Sequence, residues 1–408
     1  MSEMSETNKR PKGSRQWLAI LLYALTGAAG GLVIVHYIDT ITEGGPLTGM
    51  HLLLFLLLFV LLYAAMLIQT VIHEAGHLVF GLATGYRFVS FRIYSWMWLK
   101  EDGRLRCRRL SIAGTGGQCL MGPPELKDGR MPVLLYNFGG AIMNLLASAV
   151  FFGLSLATPP AWVVTPFLRL LAVIGVMFAI INGLPLRMGP VDNDGRNALS
   201  LLHSEEATRA FWIQLKVAEL QAAGVRVRDM PAAWFAVPDD EAMRNPIIAA
   251  VGALSCSRLM DEERYAEADA LMEHLLSIES GIIGVHRAML TCDRLYLELL
   301  GENRPEALQA LMTKEQQAIM KAMKDFPPVL RTQYARALLA DRDEKQAQEL
   351  EARFERSAAR YPYPQEMASE RELMQLARER ARSGGAAESE TAAPAKSSPA
   401  VETPANQC

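Results

Sequence analysis

"VIHEAGHLVFG", residues 71–81, lies inside one of the most apolar stretches of a 408-residue chain. It places two histidines and a glutamate within five residues, where an ionisable side chain is costly unless it is paired or faces a cavity. On a helix, His73 and His77 are four residues apart and project from one face, so both rings reach a single ion. Glu74 stands beside that face, near enough to meet a water held by such an ion without being a ligand. The grouping points to a metal site mounted on a membrane helix, and the rest of the chain is read outward from it.

Four apolar runs approach or exceed the roughly 20 residues needed to cross a bilayer: Trp17 to about Tyr37, Leu52 to about Ala83, Val133 to Ala157, and Pro166 to about Leu186. The first follows Lys9, Arg10, Lys12 and Arg15 like a signal peptide, but its apolar run is too long for one and is read as a retained span. Lys and Arg bias sets the orientation. The N-terminus is basic and the loop 85–132 carries nine Lys and Arg, whereas 40–50 and 158–165 carry none, so both chain ends are expected in the cytosol. Charged residues are only 21% of the chain and its net charge is −3, so nothing argues for a nucleic-acid partner. Five cysteines, odd in number and without close pairs or zinc-ribbon spacing, indicate neither a disulfide framework nor a thiolate metal site and suit a reducing cytosol.

Counting from Leu52 at 1.5 Å per residue places His73 roughly 32 Å along its helix, at the cytosolic boundary of the hydrocarbon. A catalytic tetrahedral ion takes three protein ligands and keeps one position open, so a third ligand is required. The metzincin continuation fails, because Phe80 stands where its Gly belongs and Ala83 where its next ligand belongs. Glu101, the nearest downstream glutamate, sits in a strand–turn–strand pattern that mounts a ligand poorly. The fourth span ends "IINGLPLRMGPVDNDGRN", where Pro185 and Pro190 break the helix and Asp192 and Asp194 both compete for the ligand position. Gly195 after Asp194 permits a turn that aims the carboxylate back at the bundle. In the third span, Gly139 and Gly140 allow close helix approach, and Asn144 needs a buried partner.

These residues resemble the site-2 protease family of intramembrane zinc metalloproteases. The likeness covers about residues 50–200 and rests on "HEAGH", "GGAIMN" and "NGLP…DG" in the family's order. It implies that His73, His77 and Asp194 bind Zn2+ and that Glu74 is the general acid/base, with Asp194 favoured over Asp192 because Gly195 follows it. Asn144 and Asn182 are candidates to bind substrate or its oxyanion. The chain departs from the family where Asn182 precedes Asp194 by twelve residues and where Gly139-Gly140 replaces a Gly-Pro pair. The implied activity is a zinc metalloendopeptidase of the bacterial cytoplasmic membrane. It would hydrolyse membrane-protein or membrane-associated peptide substrates near the cytosolic face, using a zinc-activated water. An inactive scaffold of the same fold, or a maturation protease for a small secreted peptide, are the alternatives.

Around the site, "YRFVSFRIYSWMWL" and "RLRCRRLSI" flank an Asp-Gly turn and predict a cytosolic β-hairpin, whose edge can hold an extended substrate or whose Trp and Arg can anchor it at the interface. "AGTGGQCLMGPPE" reads as a flexible gate. From Glu205 to about Arg382 the chain predicts helices, with Ala268, Ala307 and Ala347 recurring 39 and 40 residues apart in a tetratricopeptide-like pattern that suits a protein partner. The expected architecture is an all-α polytopic membrane protein with about four spans and a hairpin-like loop, plus a helical cytosolic domain. Its segments are a cytosolic stretch 1–16, the membrane-embedded protease 17–197, the helical domain 198–383 and a disordered tail 384–408.

Overall fold

A computed structural model describes residues 49–101, 103–110, 116–159, 163–185 and 192–391, with scattered positions between 21 and 35. The chain is mostly helical, with thirteen helices and one small sheet among the described residues. Three of the described helices are long and apolar enough to cross a membrane. The first, α1 (Gly49–Ala83), has no proline in 35 residues and so runs unbroken. Its Leu52, Leu56, Phe59 and Val60 are exposed, as side chains facing lipid would be. It stops where Gly85 turns to φ 89° and the Tyr86 N–H returns to the Gly81 carbonyl. Helices α2 (Leu134–Ala157) and α3 (Val164–Gly183) complete the group. The expected first span, Trp17 to about Tyr37, falls largely outside the described residues.

Between α1 and α2 the chain forms a four-stranded antiparallel sheet of β1 (Arg87–Ile93), β2 (Trp96–Glu101), β3 (Arg104–Arg109) and β4 (Gly117–Gly122), in the order β3-β2-β1-β4. The expected hairpin is therefore only β2 and β3 of a larger sheet, and the segment read as a flexible gate supplies its edge strand. Glycine content misled that reading. Cys119 and Met121 of β4 alternate inward, and its backbone pairs with β1 from Arg87↔Gly122 to Ile93↔Gly117. The opposite edge, β3, is "RLRCRR", a charged and exposed strand of the kind that discourages pairing with other chains.

Helices α4 (Asp194–His203), α5 (Glu205–Ala222) and α6 (Pro246–Asp261) follow. Leu201, Ala207, Trp212 and Ile213 share one core with Tyr86, Met121 and Tyr136, so apolar packing runs continuously across residue 198. The remaining helices are α7 (Tyr265–Ser277), α8 (Gly284–Leu300), α9 (Pro305–Leu311), α10 (Lys314–Ala322), α11 (Pro327–Leu339), α12 (Glu344–Ala358) and α13 (Pro364–Thr391). Ala268 and Ala347 are buried at equivalent helix positions, but the unit around Ala307 is split into α9 and α10, of 7 and 9 residues. Pro305 at the start of α9 and Thr313 capping α10 set those boundaries. Helix α13 runs on to Thr391, past the expected start of the tail; residues 392–408 lie outside those described.

Candidate metal centre

Helix α1 delivers His73 and His77 to one face, and the packing of α2 fixes both rings. Gly139 and Gly140 make that packing possible. A Cβ on Gly140 would lie 2.4 Å from the His73 ring, and one on Gly76 would lie 2.3 Å from the Gly139 carbonyl oxygen. Four residues after Gly140, fully buried Asn144 accepts from His73 Nδ1 at 2.7 Å. The amide cannot flip, because its Nδ2 donates to the carbonyl oxygen of Gln69 at 3.0 Å and to Gln69 Oε1 at 2.7 Å. The Gln69 amide in turn donates to the Leu171 carbonyl of α3. His77 Nδ1 donates to the carbonyl oxygen of Tyr136 at 2.7 Å.

Those partners determine the tautomers. A carbonyl oxygen only accepts, so each Nδ1 carries the proton and each Nε2 presents a lone pair. His73 Nε2 and His77 Nε2 lie 3.2 Å apart, and Asp194 Oδ2 lies 3.0 Å from the first and 3.4 Å from the second. With both rings neutral, three acceptors thus converge on one point, an arrangement that either a metal ion or a proton on one Nε2 relieves. The three side chains form a group able to hold a metal ion.

Asp194 opens α4, and the residue before it aims it. Asn193 caps the helix through Oδ1, which accepts from the Arg196 N–H at 3.0 Å, while its Nδ2 donates to the carbonyls of Ile181 and Leu184 at the end of α3. Leu184 is extended at φ −79°, ψ 132°, as the residue before Pro185 is expected to be, and the helix ends there. Gly195 is needed for closeness: a Cβ there would sit 2.1 Å from the Gly183 carbonyl oxygen. Asp192, the rival carboxylate, is paired with Arg196 at 2.9 Å and stands away from the histidines' nitrogens.

Glu74, also buried, is covered by the sheet. A Cβ on Gly117 at the start of β4 would lie 2.4 Å from Glu74 Oε1. Buried Arg92 of β1 donates to the carbonyls of Tyr94 and Gly117, and its charge acts on Glu74. Burial pushes the nearby Cys119 thiol up to about 12, and its sulfur is not among the ligand atoms that converge with those of His73, His77 and Asp194.

The two asparagines expected to serve substrate have other duties. Both amide hydrogens of Asn144 are spent on Gln69, so it positions His73 and has none for an oxyanion. Asn182 donates to the Phe178 carbonyl at 3.0 Å within α3 and keeps one amide hydrogen. Gln69, Asn193, Tyr136 and Arg92 were not anticipated. Gln69 alone left a trace in sequence, as an uncharged polar residue one turn before His73 on the same face of an apolar helix. No protein-family model, curated protein or solved structure matches the chain.

Proposed function

We propose that the chain is an intramembrane zinc metalloendopeptidase of the site-2 protease type. The observation that carries this reading is the convergence of His73 Nε2, His77 Nε2 and Asp194 Oδ2, spaced 3.0–3.4 Å apart, beside buried Glu74. Tetrahedral zinc with bonds of about 2.0–2.1 Å separates its ligand atoms by about 3.3 Å, which suits these spacings and leaves a fourth position open. When bound, zinc supplies the Lewis acidity that makes water nucleophilic near neutral pH.

The chain's own groups supply the rest. Glu74 takes the proton of the attacking water and gives it to the leaving amine, the two proton transfers that peptide hydrolysis requires. Its cover by Gly117 and the sheet keeps bulk water from that carboxylate. Edge strand β4 begins at Gly117, beside Glu74. A substrate extended next to it presents an attackable peptide bond there once the Arg92 and Tyr136 hydrogen bonds to the Gly117 and Cys119 carbonyls give way. An extended strand matters because a helix shields its own carbonyls by internal hydrogen bonding. The Lys and Arg bias of 85–132 supports a cytosolic position for the sheet, with both termini on that side. We read the helices after residue 198 as a docking domain for a protein partner.

The test is metal content and cleavage of single-span substrates by the purified chain, compared with Glu74→Gln and Asp194→Asn. Wild type should carry zinc. Glu74→Gln should keep it while turnover falls by about 10²–10⁴-fold, the usual worth of a general acid/base. Asp194→Asn should lose both. Iron in place of zinc would point to a two-His, one-carboxylate oxygenase and would overturn the reading; so would unchanged turnover in Glu74→Gln.

A further inference from the structure

Away from the metal centre, five helices of the distal domain, α8 to α12, enclose a groove of about 1030 Å³ that opens to solvent. Its floor is apolar. Leu295, Leu299, Met320 and Leu350 reach it from the domain's buried clusters, whereas Leu308 and Met312 are only half-buried. Both of the latter belong to the short α9 and its C-cap, and α9 has no fully buried residue. Its apolar side is thus incompletely covered by the chain itself.

The rim is cationic. Lys321, Lys324, Arg336 and Arg353 line it against one acid, Asp341. Asp341 pairs with Arg336 at 3.3 Å, and Asp325 pairs with Arg353 at 2.8 Å. Lys321 and Lys324 are exposed and engage no ion pair among the described residues, so the groove carries uncompensated positive charge. The concavity on the other side of α8 behaves differently: its Asp269, Glu273 and Glu298 are already bridged by Arg294 and Arg304.

We propose that the α8–α12 groove binds an acidic amphipathic helix of a partner protein. Its apolar face would lie on Leu308, Met312 and Met320, and its carboxylates would meet Lys321 and Lys324. A small anion has no use for six apolar floor residues, and the volume stands at the upper end of small-molecule sites, which run to about 1,000 Å³. Apolar anchors spaced one helical turn apart are the usual way a helix fills such a groove, and methionines adapt to the shapes presented. The charge complement sets which helix is accepted and makes its capture salt-dependent. None of this depends on the catalytic reading, because neither the metal ligands nor Glu74 take part.

The experiment uses the full chain in zwitterionic nanodiscs, with empty nanodiscs as the blank. The probe is a labelled 16-residue helical peptide with Leu at every third or fourth position and Glu elsewhere; a Lys-for-Glu version is the control. Binding is read by fluorescence anisotropy. The acidic peptide should bind, at least tenfold more tightly than the basic one, and added salt should weaken it. Lys321→Glu with Lys324→Glu should weaken it at least tenfold, and both positions are exposed, so the fold should survive. Met312→Ser, which leaves the groove's charge unchanged, should weaken binding at least tenfold. Amide-exchange protection on binding should fall on α9 and α10. Equal binding of both peptides, an unchanged affinity in the lysine pair variant, or no binding at all would overturn the proposal. So would self-association of the chain that the lysine pair variant abolishes, since a second copy would then be the occupant.

Discussion

His73 is fixed at Nδ1 by Asn144, Asn144 is fixed by Gln69, and Gln69 is tied to α3, so one ring nitrogen is oriented through three helices. Such outer partners typically change metal affinity 10–100-fold when removed. Asn144→Ala should therefore weaken zinc binding by about that factor in a chelator competition. Gln69→Ala should cost less, because the Gln69 backbone carbonyl still accepts from Asn144. Equal losses in the two variants would show that Gln69 acts through something other than this amide. Gly140→Ala should be the most severe, since its Cβ would meet the imidazole ring itself. At this scale the sequence revealed the atoms that converge at the candidate metal site and little of what orients them. His73, His77 and Glu74 declare themselves by a four-residue period in an apolar helix. Asp194 and Asp192 are indistinguishable until Arg196 claims one of them, and the Tyr136 carbonyl is a backbone atom that no residue type announces.

Strand β4 shows why the elements were less legible than the residues. Its "GQCLMG" has a glycine at each end, and glycine in a short apolar segment ordinarily reads as a loop. Both glycines answer to side chains far away in sequence: Gly117 makes room for Glu74, and Gly122 for Glu219, which pairs with Arg87 at 2.9 Å and joins α5 to the sheet. Long-range contacts of this kind leave no local periodicity. The three described helices of membrane-crossing length, by contrast, are legible because apolar length alone decides them. The strand also yields a separable prediction. Gly117→Val forces the Glu74 side chain aside, since the three atoms nearest the new Cβ, the first at 2.4 Å, all belong to Glu74. Zinc content should stay at the wild-type level while cleavage falls at least tenfold. A parallel loss of metal would mean that the strand supports the ligands rather than the general base.

Across the whole molecule, the distal helices are joined to the sheet and to α5 at one seam. The Arg109 N–H of the edge strand β3 donates to the Arg360 carbonyl, Tyr363 lies within the electrostatic reach of Arg92, and Gln221 of α5 donates to Glu366 at 2.7 Å. Arg226 adds a clasp, bridging Asp261 of α6 and Glu372 of α13. Among the seam's carboxyls Glu366 is the one shifted upward, Asp261 and Glu372 being held low beside Arg226. Burial pushes its carboxyl up to about 7, the neighbouring Glu370 adds to that, and the Tyr361 hydroxyl, donating to it at 3.1 Å, works the other way. A carboxyl whose folded value is raised binds its proton more tightly in the folded chain. Its contribution to stability is therefore complete below the ordinary carboxylate value near 4.5 and is lost as pH rises through about 7. The seam should accordingly be firmest in mild acid. Glu366→Gln, a neutral stand-in that keeps an acceptor for Gln221, should remove part of that dependence. Followed by tryptophan fluorescence on heating, the variant should gain roughly 2–4 °C over wild type at pH 8 and little at pH 5. A gain of the same size at both values would mean that the substitution improves packing and that Glu366 stays charged throughout. A loss at both would mean that the Gln221 and Tyr361 hydrogen bonds require the carboxylate.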